Sequence, residues 1–561
     1  MRRPFSDQVV QQVKALKVVT IDTGDTSYSD GPLAPTEAIE LEDAMREDAQ
    51  AWMEAIKAEL SSLRDSGTFQ IIKGNAPENK KLLSSRWVLR NKLNEFGFLA
   101  RRKARLVIKG YLQRKGIDYK ETFAGVVRYS TLRVLLAKAA AEDLEIDNLD
   151  VDTAFLNEPL TDAEILMEIP QFFYELYPQL KGKPAYLKLR KSLYGLKQAP
   201  HVWWLAVKEF FQAQGLKPSA ADQNLFVGQG VFILLYVDDM LIVGERASVD
   251  KVKESVIKKW KSKDLGATKS FVGFKIERNR SNRTIKIHQS IYTYKILERF
   301  GITNNHIKDL PLPQGTVIKN ADPSELLCDD DANLYLQIVG STIYLANCTR
   351  PDISFAVGQL ARVMQSPGES HLILAKHLLQ YLTGTPNIGI VYSNRLKQRA
   401  NEYNAFTDST WGSEQDKKST QGVVIMRYGG AIIWSATKQK STSQSTMEAE
   451  IIAANEGAKD LAWMEKLAED LYERTNVDPY IPTLYCDNQS GVDWIKENKF
   501  HSKAKHISIR WHYIRDDMVE KKRIRIQWIP GSEQTADILT KQLSYPTFCV
   551  HLLGLGLDTE V

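Results

Sequence analysis

The chain has 561 residues, 43% of them apolar and 25% charged, which is ordinary globular usage and excludes a wholly disordered, collagenous or coiled-coil protein. At roughly 100–200 residues per domain, this length predicts about three to five domains. A net charge of +5 is compatible with a nucleic-acid partner but is weak evidence for one.

The four cysteines, Cys328, Cys348, Cys486 and Cys549, form no CxxC pair. This argues against a disulfide scaffold or a Cys-rich zinc site and favours a reducing compartment. Met1-Arg2-Arg3 is followed by polar residues rather than an apolar stretch, so no secretion signal is expected. The apolar run Val231–Val237 is far too short to span a bilayer. These features predict a soluble, intracellular protein with no membrane partner.

Along the chain, residues 1–36 are rich in Asp, Ser, Thr, Gly and Pro towards their end and read as a disordered tail. Residues 37–65 read as a helix, with Trp52, Ile56, Leu60 and Leu63 at helical spacing. Short β-like runs follow, Trp87-Val88-Leu89 and Arg105-Leu106-Val107-Ile108, among dense Lys and Arg. Residues 131–143 read as a second helix. The runs Val231–Val237 and Met240–Val243 flank Asp238-Asp239 and predict a hairpin. Residues 246–262 read as a basic amphipathic helix, and another helix is expected around His371 to Tyr381. A strand-rich block opens at Tyr403 and ends in a helix near Ala536 to Gln542.

The first candidate site is carboxylate-rich. Adjacent like charges between apolar strands repel and resist burial, so Asp238-Asp239 needs an external counter-charge. The segment Ile146-Asp147-Asn148-Leu149-Asp150-Val151-Asp152 supplies a further carboxylate. Hard oxygen donors without His or Cys argue for Mg²⁺ rather than zinc, and two such ions serve in-line phosphoryl displacement. From spacing alone, a solvated Asp-rich turn explains the pair equally well.

Longer strings carry a resemblance. Tyr236-Val237-Asp238-Asp239 matches the YxDD box of reverse transcriptases. Leu149 to Asn157 and Lys191-Ser192-Leu193-Tyr194-Gly195-Leu196-Lys197-Gln198-Ala199-Pro200 resemble distinctive boxes of Ty1/copia-type retrotransposon Pol. Lys103 to Val107, with Gly116 to Tyr119 and Thr122-Phe123, is similar to the fingers region of that family. Leu345 to Ile353 is similar to the segment joining its polymerase to its nuclease. The motifs occur in family order from about 37 to 557.

The resemblance implies that Asp150, Asp238 and Asp239, with the backbone carbonyl of Val151, hold the polymerase metals. It places Phe155 at the steric gate that disfavours a ribose 2′-oxygen. It makes Lys103 and Arg105 the triphosphate contacts, although a solvated basic face explains each of these nearly as well. Tyr194 stands where retroviral enzymes carry Gln. His201, Trp203 and Trp204 are expected on a helix against the template, Phe271 to Phe274 in a primer-grip hairpin, and Lys263 as a candidate proton donor to pyrophosphate.

In the last third, Asp408, Glu450, Asp487 and Asp537 occur in the order of the D-E-D-D set of ribonuclease H, which implies a second pair of Mg²⁺ ions. Glu448 competes with Glu450, but the Glu-apolar-apolar-Ala-Ala pattern favours Glu450. The His that many ribonucleases H carry shortly before the last Asp is missing from Trp528-Ile529-Pro530-Gly531, and nothing places His501, His506 or His512 in the site. Asp329-Asp330-Asp331 reads as a helix start or an exposed loop, and Gly429-Gly430 as a strand turn.

The resemblance therefore implies an α+β and α/β multidomain chain. A right-hand polymerase, with fingers and palm over 37–300 and thumb and connection over 301–400, precedes a ribonuclease H-like domain over 401–545 and a C-terminal tail over 546–561. The expected activity is RNA- and DNA-templated DNA synthesis with ribonuclease H activity. Mg²⁺ is the expected cofactor, two per site, with Mn²⁺ as a substitute. The expected partners are RNA template, DNA primer, RNA–DNA hybrid and deoxynucleoside triphosphates, with integrase or Gag of the same element as further candidates. The expected location is a cytoplasmic virus-like particle, with the nucleus as the alternative. The rival reading is a catalytically silent or domesticated remnant that binds nucleic acid or serves assembly.

Overall fold

The computed structural model describes residues 39–93, 99–122, 124–125, 127–161, 163–302, 307–394, 402–471, 480–496 and 508–558. The tail expected over 1–36, together with Phe123, His501 and His506, lies outside the described residues. The chain divides into two units, one containing Asp25–Val127 and Glu145–Lys269, the other Arg128–Leu144 and Ser270–Val561. No helix of the described residues is long and apolar enough to cross a membrane.

In the first unit, helix α1 (Leu41–Asp65) buries Trp52, Ile56, Leu60 and Leu63, the stripe that its sequence spacing predicts. The helix is broken at Asp48, whose Oδ1 accepts the Ala51 N–H at 3.1 Å and so caps the second segment. A four-stranded sheet runs in the order β1 (Phe69–Lys73), β7 (Ala185–Leu189), β6 (Leu166–Met167), β2 (Leu82–Leu83). Strands β3 (Ser85–Leu93) and β4 (Leu99–Ile108) form a separate hairpin carrying the basic residues. The chain then contributes helix α2 (Tyr129–Glu142) to the second unit before returning.

The centre of the first unit is a six-stranded sheet. Its order is β12 (Ser262–Ala267), β5 (Glu145–Val151), β11 (Asp239–Gly244), β10 (Val231–Tyr236), β9 (Leu225–Gly228), β8 (Lys217–Pro218). Helices α3 (Ala199–Ala213) and α4 (Arg246–Lys259) supply Trp203, Trp204, Val207, Phe211, Val249, Val252 and Val256 to one core with the sheet residues Leu149, Ile233, Leu235 and Ile242. This corrects the expectation that Trp203 and Trp204 face a template. Both are nearly fully buried, and their indole N–H groups donate to the carbonyls of Val237 and Gln223.

In the second unit, β13 (Ser270–Phe271), β14 (Phe274–Asn279), β15 (Thr284–His288), β16 (Gly389–Ser393) and β22 (Leu557–Asp558) form one antiparallel sheet. Helices α5 (Ser290–Arg299), α6 (Asp329–Cys348), α7 (Ser354–Ala361) and α8 (Glu369–Gly384) lie between its third and fourth strands in sequence. The sheet straddles residue 300, so the compact units do not divide where the sequence reading set the palm–thumb boundary. The stretch over 546–561, expected to be a tail, contains most of helix α12 (Tyr545–Gly554) and strand β22, which pairs with β16. Phe548, Leu552, Leu555 and Leu557 are buried there, which gives the segment an apolar reason to fold back.

The remaining sheet runs β19 (Gly430–Lys438), β18 (Thr420–Arg427), β17 (Asn404–Thr410), β20 (Thr483–Cys486), β21 (Arg525–Trp528), with β17, β20 and β21 parallel to one another. Helix α9 (Thr446–Leu471) packs on β17 and β18 and buries Ala449, Ile452, Ala453 and Leu461, and the shorter helices α10 (Gln489–Lys496) and α11 (Ser508–His512) follow. A mixed sheet with flanking helices is the architecture expected for the last third.

Two carboxylate centres

The first centre is built by strand pairing. Asp239 is the first residue of β11 and sits directly across from Asp150 on β5. The hairpin tip is Val237-Asp238 rather than Asp238-Asp239, because Tyr236 pairs with Asp239. Val237 takes φ +58°, an outlier for a β-branched side chain. Two bonds hold it there: the Val237 carbonyl accepts the Trp203 indole N–H at 2.6 Å, and the Asp238 carbonyl accepts the Val151 N–H at 2.9 Å. The strain at the tip is thus paired with anchoring of Val151, which follows Asp150.

Mutual repulsion is visible in the electrostatics. Burial pushes the Asp239 carboxyl up to about 7, with Asp238 and Asp150 adding to it. Asp150 is raised by burial and by Asp238, while Lys263 and Lys103 pull the other way. The three candidate carboxylates on and just after β5 separate by their partners. Asp147 is buried and bonded by Lys253 at 2.6 Å and Arg246 at 2.9 Å. Asp152 meets Lys263 at 3.0 Å. Asp150 has only the weaker approach of Lys263, at 4.0 Å, and faces Asp239. The structure therefore brings Asp150 to the pair and gives Asp147 a structural ion pair.

Phe155 and Tyr194 meet edge to face with centroids 5.7 Å apart, and the Arg105 guanidinium lies 4.8 Å over the Tyr194 ring. Burial pushes the Tyr194 hydroxyl up to about 12. Lys103 is held below the usual lysine range by burial and by neighbouring Arg105 and Arg101. The Tyr194 loop is stitched to β4 where the Ile108 N–H donates to the Tyr194 carbonyl at 2.8 Å. Two glycines make that crossing possible. A Cβ on Gly195, at φ +93°, would stand 2.1 Å from the Ile108 carbonyl oxygen, and one on Gly110 would stand 2.0 Å from the Gly195 oxygen. Buried Gln113 and Gln198 bond each other at 2.9 Å and lock the same loop.

The second centre lies at one end of the parallel strands. Asp408 is near the end of β17, and Asp487 immediately follows β20, whose Cys486 pairs with Thr407. Glu450 comes from the second turn of α9 and Asp537 from the 3₁₀ turn Thr535–Leu539. One ligand atom from each of Asp408, Asp487 and Asp537 lies within 4.8 Å of the others, and so do those of Glu450, Cys486 and Asp487. Among the described residues these are the only such groups, so Asp150, Asp238 and Asp239 do not converge as closely.

Glu448 and Glu450 take different parts. The Glu448 carboxylate accepts the Gln444 N–H at 2.6 Å, and its own N–H donates to Ser445 Oγ at 3.1 Å, a helix-capping arrangement. Glu450 Oε1 accepts from Ser409 N and Oγ at 3.1 and 2.9 Å, beside Asp408. Burial raises Glu450 well above the carboxylate range, with Asp408 and Asp487 adding to it. Burial and Asp408 push Asp537 up to about 7, with Lys541 opposing.

The sequence reading missed Ser409, Thr540 and Lys541. The Thr540 hydroxyl donates to Asp408 Oδ2. Lys541 Nζ is 2.9 Å from Asp537 Oδ1 and 3.7 Å from Asp408 Oδ2. The i,i+4 spacing of Asp537 and Lys541 was the available signal. Both centres fit hard divalent cations: their donors are carboxylate oxygens at positions where burial and mutual repulsion leave negative charge under-compensated.

Residues 66–314 match the family model described as reverse transcriptase (RNA-dependent DNA polymerase). The chain is 36% identical over 520 residues to the retrovirus-related Pol polyprotein from transposon TNT 1-94 of Nicotiana tabacum, covering 90% of this chain and 38% of that one. It is 34% identical over 506 residues to the corresponding polyprotein from transposon RE1 of Arabidopsis thaliana, covering 89% of this chain and 33% of that one. The resemblance to Ty1/copia-type Pol is thus borne out along most of the sequence, and the chain spans under two fifths of the length of these relatives. The solved protease-reverse transcriptase of prototype foamy virus is 14% identical, covers 96% of this chain and 62% of that one, and has a TM-score of 0.26; at that overlap the fold is read from the strand order itself.

Proposed function

We propose that this chain copies RNA and then DNA into DNA from deoxynucleoside triphosphates, and that its last third removes RNA from the resulting hybrid. The observation that carries the reading is the presence of two separate carboxylate centres, Asp150/Asp238/Asp239 and Asp408/Glu450/Asp487/Asp537, each on the end of its own sheet. Divalent ions held there would supply Lewis-acid stabilisation of charge on the reacting phosphate.

The chain's own groups do the rest. Asp150 and Asp239 are fixed opposite each other by the β5–β11 register, which presets the donor geometry before substrate arrives. Lys103 and Arg105 supply fixed positive charge to a triphosphate. Phe155, braced by Tyr194, presents a ring that would meet a ribose 2′-oxygen. In the nuclease, Ser409 and Thr540 orient Glu450 and Asp408, and Lys541 partly neutralises Asp537.

The test is primer extension by purified protein on an RNA template with Mg²⁺, with the template labelled to follow cleavage. An Asp238→Asn/Asp239→Asn variant runs beside it, and so does Asp408→Asn. The expected result is loss of extension alone in the first variant and of RNA cleavage alone in the second. No extension or cleavage by the unaltered chain, with salt-sensitive hybrid binding intact, would instead establish the silent remnant.

A further inference from the structure

Of the eleven tryptophans in the sequence, two are exposed among the described residues, Trp411 at 50% and Trp528 at 42%. Both lie at strand ends of the sheet that bears the Asp408 centre, Trp411 just past its central strand and Trp528 on an edge strand. Trp411 follows Asp408 by three residues, just past the end of β17. Its indole N–H donates at 3.0 Å to the carbonyl of Ser443, in the segment that leads from β19 into the Glu450 helix. Trp528 ends β21, and its indole N–H donates at 3.0 Å to the carbonyl of Asp487 itself. The strand order β19-β18-β17-β20-β21 puts the Ser443 segment on one flank of the carboxylates and Trp528 on the other.

An indole gains from exposure only when its N–H needs water or its face has a partner. Here each N–H is already bonded to backbone, so what remains exposed is rigid apolar ring. The rings are pinned to the segments that hold the catalytic carboxylates, so their positions are fixed relative to the reacting phosphate. The carboxylates themselves repel a phosphate backbone, so a substrate seated over them gains from contacts that carry no charge. Sugar edges in the minor groove of the hybrid offer such contacts to aromatic rings.

We propose that Trp411 and Trp528 form an uncharged contact surface for an RNA–DNA hybrid, one ring on each side of the scissile phosphate. This rests on the nuclease reading above and adds the residues that position its substrate. Contacts with sugars release no counterions. The two rings therefore contribute affinity without adding to the salt dependence that phosphate contacts confer.

The experiment uses the full chain and a blunt RNA–DNA hybrid with labelled RNA. Trp411→Ala and Trp528→Ala are each expected to raise the hybrid KM about tenfold with a smaller change in kcat. The slope of log KM against log salt should stay that of the unaltered chain, and Trp→Phe at either position should restore most of the loss. In Ca²⁺, the hybrid should shield the unaltered chain's tryptophan fluorescence from acrylamide, and the double Ala variant should lose that shielded component. A KM within twofold of the unaltered chain in both Ala variants would overturn the proposal. So would acrylamide quenching that is the same with and without hybrid, a result that needs no variant to fold. Shielding without any cleavage in Mg²⁺ would retain the surface and remove the nuclease reading. Cleavage without shielding would do the reverse.

Discussion

Arg350 and Asp352 offer a sharp test of what holds the second unit together. Their side chains are 2% and 0% exposed. Arg350 Nε donates to Asp352 Oδ1 at 2.9 Å and Nη2 to Oδ2 at 2.7 Å, a bidentate pair. The Tyr381 hydroxyl donates to the same carboxylate at 2.8 Å, and Arg350 also donates to the Thr385 carbonyl at 2.7 Å. These contacts tie the end of α6 to α8. Asp352→Ala leaves a buried guanidinium without its counter-charge, which costs about 3–5 kcal/mol. At tenfold per ~1.4 kcal/mol, amide exchange in α6 and α8 should speed up roughly a hundredfold to several thousandfold. Arg350→Met/Asp352→Leu removes both charges together and should stay within about 1 kcal/mol of the unaltered chain, because desolvation of the pair offsets most of its attraction. Hydrogen-exchange mass spectrometry on the single and double variants reads all of this. If the costs of the two single changes simply add in the double variant, the pair is not coupled and the reasoning fails.

Further outcomes follow from the same geometry. Phe155→Val should reduce discrimination against ribonucleotides at least tenfold, measured as the ratio of kcat/KM for deoxy- and ribonucleoside triphosphates; an unchanged ratio would return Phe155 to plain packing. Gly195→Ala should destabilise the first unit by more than about 2 kcal/mol, since the left-handed backbone and the Ile108 oxygen both oppose a Cβ; urea unfolding checks it. Asp460, half-buried on α9, is pushed up to about 6 by burial and then by Glu456. The folded chain thus holds that proton more tightly than the unfolded one, and stability falls as pH rises from about 4 to about 6. Asp460→Asn should lose that slope and gain about 1–2 kcal/mol at neutral pH, read from unfolding at pH 4 and 7.5. Lys541→Met should tighten Mn²⁺ binding several-fold, because the ammonium beside Asp537 and Asp408 competes for the same oxygens; isothermal titration calorimetry with Mn²⁺ and no substrate decides it.

What the sequence made legible was local. The apolar runs around Asp238-Asp239 specified the hairpin, and the helical stripe of Trp52, Ile56, Leu60 and Leu63 specified α1. Periodicity was silent on which of Asp147, Asp150 and Asp152 joins the pair. That depends on the β5–β11 register and on Arg246 and Lys253, which lie about a hundred residues away. The Glu448 and Glu450 choice was similar, since one of them caps a helix and the other meets Ser409 across the sheet. Trp203 and Trp204 misled because an aromatic next to a signature string suggests substrate, whereas both fill the core against Trp260 and the sheet. Lys541 went unnoticed because a lysine four residues after an aspartate is ordinary surface chemistry until Asp408 arrives from far earlier in the chain.

Strand β22 pairs with β16 after the chain has built the entire Asp408 sheet in between. The last third is therefore a long excursion between two neighbouring strands rather than a bead following on a string. Excising residues 401–545 as a free nuclease would strip the preceding sheet of its closing strand and of the buried face of α12. Expressing residues up to 400 alone would leave β16 with an unpaired edge, a template for joining strand to strand between molecules. Anyone dividing this chain for study should keep 545–558 with the segment that precedes the nuclease, which a fusion linking that segment directly after β16 would achieve and a simple truncation would not.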